Sequence, residues 1–186
     1  MEKYIFLDFD GVMTSGKNYD ALVCAGKLVR DEYGDLFDPQ AVTNLQMILE
    51  ATGADIVISS NWNVLGLGTM KAMWKKRGLP GKIVGVAVEG GLEDIDLASM
   101  DLEANIDFLM GQNLRGKAIS GWLSRNAKSK DCKFVEKAPK SKDCPYVILD
   151  DLDAFTKEQQ SHFVKVNPTV GLCIEDAVKA IEILHR

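Results

Sequence analysis

A short apolar and aromatic run near the start of the chain leads directly into two aspartates and a glycine. The run Tyr4–Leu7 has the character of a buried strand, and Asp8, Asp10 and Gly11 follow it. Two carboxylates at a strand end repel each other and lose hydration, which costs free energy unless a cation or hydrogen bonds compensate. Ligands bind at the carboxyl ends of strands in parallel α/β sheets. This stretch therefore favours such a sheet, with Asp8 and Asp10 holding a divalent metal and acting on an anionic group.

Composition places the chain among ordinary globular proteins. Its 186 residues are 46% apolar and 26% charged, which is enough for one domain with a hydrophobic core. The net charge of −5 argues against a surface that coats nucleic acid, but leaves a local basic patch open. There is no apolar run long enough for a membrane span, no basic leader and no CxxC pair. We therefore expect a cytoplasmic protein with reduced cysteines, without a zinc site or a membrane partner.

Apolar strand-like runs alternate along the chain with amphipathic helical segments. This order is typical of a parallel sheet covered by helices, so we predict one three-layer α/β/α Rossmann-like domain over residues 1–186. The segment 14–37 interrupts the alternation, and residues 21–29 within it have the pattern of a small hairpin. Predicted strands are residues 4–7, 55–59, 82–88, 146–149 and 163–166, and predicted helices are residues 39–52, 64–77, 100–110, 114–126 and 174–184.

Three of the predicted strands end in polar residues. Because the carboxyl ends of parallel strands share one edge of the sheet, these residues should lie close together. The helix before the fourth strand begins with two cations, either of which could reach the same edge. The candidate residues are Asp8, Asp10 and Gly11, then Ser59, Ser60 and Asn61, then Arg115 and Lys117, and finally Asp150 and Asp151.

This set of residue types fits phosphoryl chemistry. Several converging carboxylates require a cation, and hard oxygen ligands select Mg²⁺. Asp8 could attack phosphorus, while Asp10 could give a proton to the leaving oxygen and later activate water. The Ser59 hydroxyl and one cation could hold the phosphoryl oxygens, and Ser60, Asn61 and Gly11 are further candidate contacts to the substrate. Gly11 would let the chain turn away without crowding the two acids.

Four motifs in this order resemble the haloacid dehalogenase (HAD) superfamily. The strings Phe6–Val12, Ile58–Trp62, Arg115–Leu123 and Val147–Asp151 resemble, more narrowly, the HAD domains of Swiss Army Knife RNA repair proteins. The resemblance implies a Mg²⁺-dependent phosphatase with an aspartyl-phosphate intermediate. It makes Asp8 the nucleophile, Asp10 the acid/base with its backbone carbonyl facing the metal, and Ser59 a phosphoryl contact. Asp150 and Asp151 become metal ligands, whereas Arg115 and Lys117 both qualify as the third-motif cation.

The resemblance bears on the substrate as well. Segment 14–37 is too short for a large cap, so we expect an open site that serves nucleic-acid ends or nucleotides. The lysine-rich repeat over 128–144 is a candidate nucleic-acid guide, although a solvated loop is the simpler interpretation, as it is for the acidic segment 89–107. The alternatives are a small-metabolite phosphatase and a non-catalytic module that binds metal and phosphate. The sequence leaves the oligomeric state open.

Overall fold

A five-stranded parallel sheet forms the centre of the protein. The computed structural model describes residues 2–62, 66–87, 114–126, 144–153 and 155–186. The strands of the sheet are β1 (Tyr4–Leu7), β4 (Asp55–Ile58), β5 (Ile83–Val86), β6 (Tyr146–Asp150) and β7 (Phe163–Lys165), and β2 (Arg30–Asp31) and β3 (Gly34–Asp35) form a separate hairpin. The spatial order of the strands in the sheet is β5–β4–β1–β6–β7, which confirms the predicted α/β sheet. No helix within these described ranges is long and apolar enough to cross a membrane.

Helices cover both faces of this sheet. Side chains of β1 alternate, so that Ile5 and Leu7 join one apolar cluster while Tyr4 and Phe6 join another on the opposite face. The described helices are α1 (Gly16–Cys24), α2 (Pro39–Thr52), α3 (Gly66–Lys76), α4 (Leu114–Asn126) and α5 (Ile174–Leu184). The first cluster includes residues of α2, α3 and α5, and the second includes residues of α4. The sheet and the helices on its two faces form the predicted three layers.

The ends of α2 follow from local sequence. The Asp38 carboxylate accepts a hydrogen bond from the backbone of Gln40, and Pro39 occupies the first turn, where its missing N–H is no loss. At the other end Gly53 adopts φ 66°, in the left-handed region that closes a helix. Both boundaries agree with the sequence prediction, as do those of α4 and α5.

The hairpin predicted over residues 21–29 is wrong. Residues 16–24 form helix α1, whose first turn is capped by the Ser15 hydroxyl accepting from Asn18 N. Gly26, at φ 64°, lies in the left-handed region, and Lys27 N donates to Leu22 O at 2.9 Å. The Ala-Gly pair therefore ends a helix instead of turning a hairpin. The hairpin of this segment lies further along the chain, at residues 30–35.

Three sequence predictions concern parts of the chain outside the described residues. These are the helix over 100–110, the acidic segment 89–107, and the lysine-rich repeat 128–144 apart from Cys144. All three stay predictions.

Candidate active site

The parallel sheet brings three predicted acids together. Strands β1 and β6 are neighbours, with Leu7 opposite Leu149, and Asp8 N donates to Leu149 O at 3.0 Å. The residues at the carboxyl ends of these two strands therefore lie side by side. Carboxylate oxygens of Asp8, Asp150 and Asp151 all lie within 4.8 Å of one another. Asp8 and Asp150 are 1% and 0% exposed, so their charges are almost entirely removed from water.

Arg115 joins two of these acids from the first turn of α4. Its Nη1 donates to Asp8 Oδ2 at 2.8 Å and to Asp150 Oδ2 at 2.5 Å, and its side chain is 13% exposed. Burial opposes the charged guanidinium, but the charges of Asp8 and Asp150 outweigh it and raise the pKa of Arg115 above its ordinary value. Of the two cations that the sequence offered, Arg115 is the one in contact with the acids, and Lys117 is exposed.

One guanidinium does not balance three carboxylates. Burial, followed by the charge of Asp8, raises the pKa of Asp150 to about 7, against the opposing effect of Arg115. Burial and Asp8 also raise the pKa of Asp151. A carboxyl group with a pKa near neutrality marks a site where burial and a neighbouring negative charge both oppose ionisation, and a further cation would offset both effects.

Two buried oxygens in the site have no hydrogen-bond partner among the residues that the structure describes. Neither Asp8 Oδ1 nor Ser59 Oγ is hydrogen-bonded to any part of the chain that the structure describes. Ser59 follows β4 and its backbone N–H donates to Leu7 O at 2.9 Å, so it stands beside Asp8 on the side away from Asp150. An unpaired buried polar atom costs free energy in the folded protein. Both oxygens are therefore available to a ligand or an ion.

Asp10 differs from the other acids. The residue is more exposed than these acids, it lies outside the cluster of three, and its Oδ2 accepts a hydrogen bond from Trp62 Nε1 at 3.0 Å. Partial burial raises the pKa of Asp10, while the indole hydrogen bond lowers it. The side chain of Asp10 is thus not placed with the candidate metal ligands, and its contribution through the backbone carbonyl stays a prediction.

The remaining predicted contacts play different parts. Gly11 has φ 73°, and a Cβ there would lie 2.8 Å from Asp151 Oδ2, so glycine permits the close approach of this loop to Asp151. Ser60 is fully buried, and its Oγ accepts from Trp62 N at 3.4 Å, which supports the turn after β4. Asn61 is exposed. Contacts of Ser60, Asn61 and Gly11 with the substrate stay predictions.

Sequence reasoning gave no role to Trp62. Fifty-two positions separate it from Asp10, and their contact depends on the adjacency of β1 and β4. The available signal was a side chain with one N–H donor directly after a strand end that already carried polar residues. This pattern does not predict that the acceptor of the Trp62 N–H is Asp10.

The fold and the site together define a HAD-type domain. One edge of its parallel sheet carries Asp8 after β1, Asp150 at the end of β6 and the Ser59 hydroxyl after β4, and Arg115 reaches this edge from α4. A family model described as "HAD domain in Swiss Army Knife RNA repair proteins" matches residues 4–177, and the chain belongs to this family. No curated protein and no solved structure matches the chain.

Proposed function

We propose that the protein is a Mg²⁺-dependent phosphomonoester hydrolase that works through an aspartyl-phosphate on Asp8. The observation that carries this proposal is the cluster of Asp8, Asp150 and Asp151, in which the buried Asp8 and Asp150 are both paired with Arg115. Membership of a HAD family supports the same reaction class.

The residues present fit a divalent cation. With all three carboxyls ionised, the three carboxylates and one guanidinium carry a net charge of minus two, and Asp8 Oδ1 has no hydrogen-bond partner among the described residues. Oxygen donors of this kind suit Mg²⁺, which Asp8, Asp150 and Asp151 would hold. When bound, the ion supplies charge neutralisation for the phosphoryl oxygens.

The protein's own groups account for both halves of the reaction. A carboxylate oxygen of Asp8 forms a bond to phosphorus as the bond from phosphorus to the leaving oxygen breaks, and Asp10 gives that oxygen its proton. Asp10 then accepts a proton from the attacking water, and the bond between phosphorus and Asp8 breaks to release phosphate. Arg115 and the Ser59 hydroxyl would stabilise the phosphoryl oxygens throughout, and the contact of Arg115 with Asp8 and the unpaired Ser59 Oγ among the described residues support this role.

Nucleic-acid ends or nucleotides are the proposed substrates, in the cytoplasm. The support is the family description, which names RNA repair proteins, and the short segment 14–37, which forms one helix and one small hairpin. A small metabolite phosphate is the alternative within the same chemistry.

A substrate panel tests the proposed function. Phosphate release should be measured with and without Mg²⁺ on nucleotides, sugar phosphates, phosphopeptides and oligonucleotides carrying a 3′- or 5′-phosphate. We expect phosphate release to depend on Mg²⁺, and kcat/KM to be highest on the oligonucleotides or nucleotides. Preference for sugar phosphates would assign the protein to metabolite chemistry. Binding of Mg²⁺ and phosphate without turnover of any substrate would contradict the enzymatic proposal.

Magnesium affinity should depend on pH through Asp150. Its pKa is raised to about 7, so below that pH the metal-free protein carries a proton there that Mg²⁺ must displace. Apparent affinity should rise about tenfold per pH unit below 7 and level off above it. Without Mg²⁺, the stability contributed by this protonated group is complete below about pH 4 and is lost as the pH rises to 7.

Calorimetric titration with Mg²⁺ and thermal unfolding between pH 5.5 and 8.5 would measure both effects. Asp150→Asn should reduce the pH dependence of Mg²⁺ binding near pH 7, and should weaken binding itself. Asp153→Asn is the matched control because Asp153 is exposed and lies outside the cluster of acids. A Mg²⁺ affinity that stays constant across this range would contradict the assignment of Asp150.

A further inference from the structure

The indole of Trp62 is fixed in position beside Asp10. Its ring meets Phe9 edge to face with centroids 5.5 Å apart, and it lies 6.0 Å from the ring of Phe37. On another side, the backbone of Gly34 approaches so closely that a Cβ there would be 2.7 Å from Trp62 Cη2. Packing on several sides therefore limits the directions in which the indole N–H can point.

The hairpin that contacts Trp62 is itself anchored to α3 through the residue that follows this helix. Arg77 donates from Nη2 to Asp31 Oδ1 at 2.7 Å and from Nε to Asp31 Oδ2 at 3.0 Å. It also donates to the backbone oxygens of Gly34 and Asp35, at 3.2 and 3.1 Å. The Arg77 guanidinium lies 5.8 Å from the Trp62 ring centroid. A bidentate ion pair and two carbonyl contacts hold the hairpin against the indole.

The Asp10 carboxylate needs such support more than Asp8 does. Asp8 is buried and paired with Arg115, whereas Asp10 is an exposed residue in the turn after β1 and its carboxylate accepts a hydrogen bond from Trp62. The hydrogen bond of 3.0 Å from Trp62 Nε1 selects the orientation in which Oδ2 faces the indole. Oδ1 of the same carboxylate is then turned in a fixed direction.

We propose that Trp62 is a positioning residue that orients the Asp10 carboxylate for proton transfer to the leaving group. This inference rests on the proposed phosphatase function and adds the residue that acts through Asp10. General acid catalysis depends on a short, well-aligned path to the oxygen that accepts the proton, and loose positioning forfeits part of its effect. Trp62→Phe keeps an aromatic ring in the cluster and removes the N–H donor.

The test compares substrates that differ in their need for a proton. The leaving group of p-nitrophenyl phosphate is a weak base that departs without protonation, whereas glycerol phosphate releases a strongly basic alkoxide unless it is protonated. We expect Trp62→Phe to lower kcat/KM by about 10- to 100-fold on glycerol phosphate and by less than about threefold on p-nitrophenyl phosphate. The kcat/KM ratio is informative because it covers the step in which the leaving group departs.

Trp74→Phe is the matched control. Trp74 belongs to the same aromatic cluster, 6.1 Å from Phe9, but its indole N–H donates to Pro80 O at 2.9 Å. This variant should show no difference between the two substrates. In an Asp10→Asn background, Trp62→Phe should cause no further loss, because Trp62 acts through the carboxylate.

A second readout is independent of turnover. The indole N–H signal of Trp62, assigned in a ¹H–¹⁵N spectrum by its loss in Trp62→Phe, should move upfield in Asp10→Ala. Absence of that shift, equal losses on both substrates, or additive losses in the double variant would overturn the role of Trp62. Failure of the proposed function would give a different result from failure of the role of Trp62. In that case the wild-type protein would show no more turnover of p-nitrophenyl phosphate than Asp8→Asn.

Discussion

Asp8→Asn should lower kcat on p-nitrophenyl phosphate by about 10⁴-fold or more, since the loss of a nucleophile removes the covalent path altogether. The amide is nearly isosteric with the carboxylate but does not attack phosphorus. Asp8 is 1% exposed and its Oδ2 lies 2.8 Å from Arg115 Nη1, and we expect no other described acid to replace it as the nucleophile. The measurement is steady-state kinetics with and without Mg²⁺.

The fold of this variant should persist. Neutralising one of three mutually repelling carboxylates should maintain or raise the thermal unfolding temperature in the absence of Mg²⁺. Asp153→Asn serves as the matched control and should keep wild-type turnover, because Asp153 is exposed and hydrogen-bonds Gln160 instead of the cluster. Acid quenching during turnover should trap a hydroxylamine-sensitive phosphoenzyme in wild type but not in Asp8→Asn. Residual turnover of Asp8→Asn within tenfold of wild type would exclude Asp8 as the nucleophile.

Arg115→Met should affect activity and stability together. The guanidinium is 13% exposed and is joined to Asp8 and Asp150, so its removal leaves two buried carboxylates without a compensating charge. Breaking a buried pair in this way costs about 3–5 kcal/mol of unfolding free energy, and less at low pH, where Asp150 takes up a proton. Loss of a group that stabilises transition-state charge should lower kcat by about 10²- to 10³-fold.

Lys117→Met separates the two candidate cations. Lys117 is exposed, and a surface substitution of this kind changes the unfolding free energy by about 0.5 kcal/mol or less. Denaturant unfolding at pH 5.5 and 8, with kinetics at saturating Mg²⁺, would compare the two variants. If Lys117→Met lost more activity than Arg115→Met, the assignment of the third-motif cation to Arg115 would be reversed.

The elements of the fold were predictable where local chemistry sets them. Asp38-Pro39 predicts the start of α2 and Gly53 predicts its end, and both predictions agree with the structure. The segment 14–37 shows where this fails. Ala25-Gly26 suits both a hairpin turn and a helix end, and the Ser15 cap with the Lys27–Leu22 hydrogen bond decides for the helix.

The sequence by itself determined which chemical groups stand at the strand ends, because a strand that ends in carboxylates has few uses other than holding a cation. Asp8, Ser59, Asp150 and Asp151 needed only the rule that parallel strands share an edge. The choice between Arg115 and Lys117 needed the helix axis, since residues two apart on a helix point in different directions. The pairing of Asp10 with Trp62 was decided by the tertiary structure alone. A hydrogen bond between residues 52 positions apart depends on strand order and on the hairpin that Arg77 anchors, and no local pattern encodes either.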